Sequence, residues 1–215
     1  LERMHIDELR AWHQKWYAPN NATLVVVGDV DPKQVYEWAK RYYGAHKPET
    51  ITPPKPRVEI EQEGERRIQM KGATKSPSLI MGFHAPSLVT AKDSQEVYAL
   101  SVLNSVLDGG DSARLPRHLV RGSKVAVSAG ASYDETSRLE SLFMVNITPS
   151  EGKTLKEAEA ALWEQIEQLQ QQPISEDELK RVLAQSEAQY VFHQDSIQSQ
   201  AMILGSLVSI GLPTE

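Results

Sequence analysis

The chain has 215 residues, 40% hydrophobic and 24% charged, a globular composition that excludes a disordered or collagen-like polymer. Its 23 Lys and Arg against 29 Asp and Glu leave a net charge of -6. That removes a chain-wide basic field for nucleic acid and any polybasic membrane patch. No apolar run approaches the roughly 20 residues of a spanning helix, and the absence of Cys rules out disulfide frameworks and thiolate metal sites.

The chain opens on Leu1 rather than Met, inside what reads as a helix, so an excised piece of a longer protein is expected. Apolar residues at Met4, Ile6, Leu9, Trp12, Trp16 and Tyr17 predict an amphipathic helix over residues 1–17. Ala18-Pro19-Asn20-Asn21 ends it, since Pro disfavours helix at the residue before it and Asn suits turns. The β-branched run Thr23–Val27 predicts a buried strand. Gly28-Asp29-Val30 then turns into a helix with Asp31 as N-cap and Pro32 in the first helical position, closed by Gly44. Trp12, Trp16 and Trp38 are expected to pack in a core or between helices.

Pro48, Pro53, Pro54 and Pro56 mark a semi-rigid linker. The expected organisation is therefore a first part at 1–45, a linker at 46–64 and a second domain at 65–215. In the second, strands are predicted at Arg66–Lys71 and Ser78–Ala85, then a helix from about Asp93 that breaks at Gly109-Gly110. A short helix with Leu115, Leu119 and Val120 precedes strands with alternating residues at Val125–Ala131 and Leu139–Thr148. Thr154 with Glu157, and Ser175 with Glu178, form two capping boxes that open long amphipathic helices. This order predicts an α+β fold with helices packed on one face of a mostly antiparallel sheet.

The six His residues include no pair four apart, so no helical His pair is offered to a metal. His5-Ile6-Asp7-Glu8-Leu9 places Leu where an inverted His-x-x-Glu-His motif needs its second His, leaving too few donors. Gly109-Gly110-Asp111-Ser112 lacks the spacing of a phosphate loop and of a nucleophile elbow, so a helix break is expected there. Arg114, His118 and Arg121 lie in a local basic cluster that suits a carboxylate-bearing peptide or partner. No catalytic residue and no metal ligand is assigned.

The segment Leu9–Pro32, with Tyr17-Ala-Pro-Asn-Asn21, the apolar strand and Gly28-Asp-Val-Asp31, resembles the end of the catalytic domain in the pitrilysin/insulinase family of zinc peptidases. Asn104–Leu115 and Pro173–Arg181 are similar to the domain that follows there, so the likeness spans nearly the whole chain. The resemblance implies a clam-shell of two halves, each with two α+β domains, closing around unfolded peptides. Zinc there is held by a His-x-x-Glu-His helix and a more distant Glu, which this chain does not carry over. On this likeness residues 1–45 are the tail of a zinc-bearing domain, and 65–215 a non-catalytic domain truncated at its end. Val120 and Val127 stand where an Arg and a Tyr complete the active site from the opposite half, which implies that this segment belongs to the zinc-bearing half. The expectation is an inactive fragment of a zinc metallopeptidase. It would need no cofactor itself, its parent would hold zinc, and its partners would be a peptide, the catalytic portion and a second half or subunit. A bacterial periplasmic parent fits the resemblance. The alternative is a non-catalytic homologue that works as an assembly subunit.

Overall fold

The computed structural model describes residues 3–55, 60 and 62–214. Within them the chain divides into two units, residues 1–71 with 197–209, and residues 72–196 with 210–215. Pro56, one of the expected linker prolines, lies outside the described residues.

The first unit holds α1 (Ile6–Trp16), a short 3-10 turn at Pro19–Asn21, α2 (Pro32–Tyr43) and most of a third helix at Ile197–Ile210. The Glu8 carboxylate accepts the N–H of His5 at 2.8 Å and so starts α1 at Ile6, later than the apolar spacing allows. Asp31 accepts from the N–H groups of Lys33 and Gln34, and Pro32 occupies the first position of α2, both as expected. Asn20 grips the start of the Pro-rich stretch twice, donating to the Glu49 carbonyl at 2.9 Å and accepting its N–H at 3.0 Å. Gly28 has φ +155, a conformation that an L side chain adopts only with strain. We expect Gly28→Val to cost about 1–3 kcal/mol, read as a lower midpoint in thermal unfolding.

Two expectations fail in this unit. Thr23–Val27 and Arg66–Lys71 form no strand, because neither finds a ladder partner among the described residues and a lone strand leaves its N–H and C=O groups unmet. Trp12 and Trp38 are 56% and 50% exposed. The three helices bury no residue, since among the described residues this unit has no sheet to receive an apolar face.

The second unit is an α+β layer. Its elements are β1 (Leu79–Ala85), α3 (Ser94–Asp108), a π-helical turn (Pro116–Gly122), β2 (Ala126–Ser132), β3 (Ser141–Pro149), α4 (Leu155–Gln171) and α5 (Glu176–Gln194). The helix at Ile197–Ile210 is α6. The sheet is antiparallel in the order β1-β3-β2. Strict alternation along β3 turns Phe143, Val145 and Ile147 into the core, at 6%, 2% and 0% exposure. They meet Leu107 of α3, Leu119 of the π-helical turn, and Ala158 and Leu162 of α4. Helices therefore cover one face of the sheet.

Both predicted capping boxes are present. Thr154 Oγ1 accepts the N–H of Glu157 at 3.2 Å while the Glu157 carboxylate accepts the N–H of Thr154 at 2.8 Å. Ser175 and Glu178 repeat the arrangement at 3.2 and 3.1 Å. Thr154→Ala should cost about 1 kcal/mol, measurable as a shift in urea midpoint with an unchanged slope.

Candidate functional site

Opposed residues of antiparallel strands share a face, so the register defines what the sheet shows on the side away from its helices. Leu142 lies opposite His84, and Met144 opposite both Gly82 and Ser132. Asn146 lies opposite Ile80 and Gly130, and Thr148 opposite Ser128. This face is bare. Ile80 is 68% exposed, Leu142 44% and Met144 38%. Its relief is low, because Gly82 has no side chain and a methyl of Leu142 sits 3.5 Å from where a Cβ would stand.

One corner of the face is closed by α3. The Asp108 carboxylate accepts the N–H of Ala131 at 3.0 Å, at the outer edge of β2. A Cβ on Gly130 would come within 2.7 Å of the same carboxylate oxygen, so a side chain there would push Asp108 from its place.

The basic cluster is resolved residue by residue. Arg114 is bound side-on to Glu178, with Nε and one terminal nitrogen each donating over 2.8 Å to a carboxylate oxygen. Glu178 is also the acid of the α5 capping box. Donation from Arg114, followed by the Ser175 N–H, holds its carboxyl down at about 2 against desolvation. His118 Nδ1 is hydrogen-bonded to Gln165 Oε1 at 2.6 Å, and the Gln165 amide nitrogen donates onward to Gln168. Arg121 lies exposed in the last turn of the π-helical segment. Arg114 and His118 share a polar cleft of about 480 Å³ with Arg117, Gln168, Glu178 and Arg181; Arg121 is not among the residues lining it.

Val120 sits in the π-helical turn, and Val127 is the extra residue of a β-bulge, 60% exposed. Val120 packs against the hydrophobic core while Val127 points into solvent, and neither hydrocarbon offers a reacting bond a proton, charge or hydrogen bond. Among the described residues no group of three or more His, Asp and Glu is placed to hold a metal ion. His5 and Glu8 do not fit zinc: they supply two donors, and Glu8 is engaged at the start of α1. In the first unit, Leu9, Trp12, His13 and Tyr17 line an open apolar shelf on α1, with Tyr17 stacked on His13 at 4.5 Å and meeting Trp12 edge-on at 5.6 Å. No helix among the described residues is long and apolar enough to cross a membrane.

A three-stranded antiparallel sheet with helices packed on one face defines an α+β domain. The chain belongs to the family described as the Peptidase M16 inactive domain, whose model matches residues 3–186. A curated relative is the zinc protease PqqE of Helicobacter pylori, 24% identical over 199 residues, which cover 91% of this chain and 44% of that protein. The chain thus spans less than half the length of that relative. A solved protease from Helicobacter pylori has the same fold, with a TM-score of 0.89 at 22% identity over 98% of this chain and 50% of that one. The periplasmic protease PqqL from Escherichia coli superposes with a TM-score of 0.64 at 17% identity, over 98% of this chain and 24% of its own. The first half of PqqL, solved by itself, matches 96% of this chain and 45% of that half.

Sequence reasoning had placed the candidate contacts on the basic cluster and missed the bare sheet face. Its signal is present in the alternation of Leu142, Met144 and Asn146 with Phe143, Val145 and Ile147. Which alternate set is left uncovered depends on where α3 and α4 pack.

Proposed function

We propose that this chain is the wall-forming, non-catalytic part of a zinc metallopeptidase, and that the bare face of its sheet looks onto the chamber in which unfolded peptides are held. The observation that carries the reading is that face, left open by helices confined to the other side. Peptide-bond hydrolysis in such a parent belongs to zinc-activated water held by residues other than those of this chain. On the same reading residues 1–45 complete the zinc-bearing domain. The apolar shelf of α1 and exposed Trp38 of α2 support this, being the kind of surface that a missing layer covers. Residues 46–64 then link that domain to the wall domain at 65–215. A second half or subunit closes the chamber, and within the basic cluster a contact to it narrows to Arg121, since Arg114 and His118 are bonded internally. The periplasmic address of the related PqqL supports an exported parent.

The experiment is site-specific photocrosslinking in the parent protein. A crosslinker at Met144 should capture a labelled unfolded peptide, and one at Lys156, exposed on the helix side, should not. Equal capture from both positions would refute the wall reading. The 215-residue chain itself should carry well below one zinc per molecule by elemental analysis; a stoichiometric ion bound through His5 and Glu8 would overturn the donor argument.

A further inference from the structure

We infer that the polar cleft between the π-helical turn, the end of α4 and the start of α5 binds a carboxylate, carried by a peptide on an acidic side chain or at its C-terminal end. The inference goes beyond the wall reading and does not use it, because helices and turns line this cleft and no strand residue does. The walls are pinned to one another. Arg114 ties the turn to α5 through Glu178, and His118 ties it to α4 through Gln165. The volume of about 480 Å³ falls within the range of about 300–1,000 Å³ for small-ligand sites, room for a side chain or a chain end.

Charge decides the occupant. Arg114 and Glu178 neutralise each other, and two cations remain. Arg117 is exposed and has no hydrogen bond or ion pair among the described residues. One nitrogen of Arg181 donates to Gln185 Oε1 at 3.3 Å, and no acid pairs with it among the described residues. The acid left over is Asp177, exposed in the first turn of α5 and making no ion pair with Arg181 four residues on. Counting His118 as neutral, three Arg face two acids, so the cleft keeps one positive charge in a chain whose net charge is -6. That surplus suits a monoanion. A guanidinium offers parallel N–H donors to the two oxygens of a planar carboxylate, and Ser112, Gln168 and Gln172 line the cleft with neutral groups for the amides beside it. An ammonium would meet two guanidiniums for one free acid.

The test uses the 215-residue chain and peptides of equal length with a Ser/Ala/Gln body, labelled at the N-terminus with an uncharged dye. One is neutral with an amidated C-terminus, one is amidated with a central Glu, one is neutral with a free C-terminal carboxylate, and one is amidated with a central Lys. Fluorescence anisotropy should show a carboxylate peptide binding about tenfold more tightly than the neutral amide. The Lys peptide should bind no tighter than the amide, and the preference should shrink as salt is raised. Which of the two carboxylate peptides carries the preference identifies its source. Arg117→Gln should return both to the affinity of the amide, with the wild-type circular dichroism spectrum kept because Arg117 is exposed and unbonded, and Arg181→Gln should do the same from the α5 wall. Asp177→Asn should tighten carboxylate binding about threefold by removing the opposing charge. Lys156→Gln, an exposed cation roughly 18 Å along α4 from Gln168, should change nothing. Equal binding of all four peptides, or binding of none, overturns the inference. So does a carboxylate preference that survives both arginine variants, one lost equally in Lys156→Gln, or one that Asp177→Asn leaves unchanged or weakens. None of these results bears on the wall reading.

Discussion

Replacing Arg114 by Met lowers the stability of the second unit by about 1–2 kcal/mol at neutral pH, and the loss disappears in acid. Arg114 and Glu178 are 64 positions apart and joined by two 2.8 Å bonds, with side chains only 14% and 26% exposed. The Glu178 carboxyl is held at about 2 instead of its ordinary 4.5. A depressed carboxyl stabilises the fold at pH values above its unfolded pKa, and that contribution fades as pH falls toward the folded value. The gap between wild type and Arg114→Met in urea unfolding should therefore be full above about pH 5 and close toward pH 2. The undiscounted shift would correspond to about 3 kcal/mol, but solvent reaches the Glu178 side and screens the pair. Arg114→Lys should recover only part of the loss, because an ammonium cannot reproduce two parallel bonds from one planar fork. A gap that persists unchanged at pH 2 would show that Arg114 acts through packing and not through Glu178.

Leu162→Ala should be the more damaging change, at about 2–5 kcal/mol. Leu162 is fully buried on α4, in the cluster with Phe143, Val145 and Ile147 beneath the sheet. Removing its isobutyl group leaves a cavity that a rigid sheet on one side and a capped helix on the other close poorly. The control is Leu183→Ala on α5, the same chemistry at 54% exposure, which should fall within about 0.5 kcal/mol of wild type. Equal losses from both would mean that the core lies elsewhere than under β3.

The parts of this fold that were legible are those with a local physical signature. Thr154 and Glu157 announce a helix start because both halves of the cap sit within one turn. The alternation along β3 announces its buried face because the period of a strand is two. Other features were silent for equally physical reasons. Thr23–Val27 has strand propensity, but a ladder needs a neighbour, and propensity does not supply one. The short helix after Leu115 reads as an ordinary helical turn; its wider π winding, with Leu119 buried, has no mark in the local spacing. Helix α6 gives little signal, because Gly205 and the interspersed serines interrupt its apolar pattern. The tie between Arg114 and Glu178 joins two segments that carry the family likeness, yet neither segment alone predicts its partner. The candidate site followed the same division: charges were visible in the sequence, whereas a bare sheet face becomes visible only once the helices have chosen their side.

The carboxylate of Asp108 at the rim of β2 has a consequence for self-association. Open rims on both flanks of a sheet allow chains to stack without end, each new copy templating the next. Here one flank has a backbone donor already taken, while β1 on the other has none withheld by such a plug among the described residues. A strand added at the β2 rim would first have to displace this carboxylate from the Ala131 N–H, a barrier that the β1 rim does not raise.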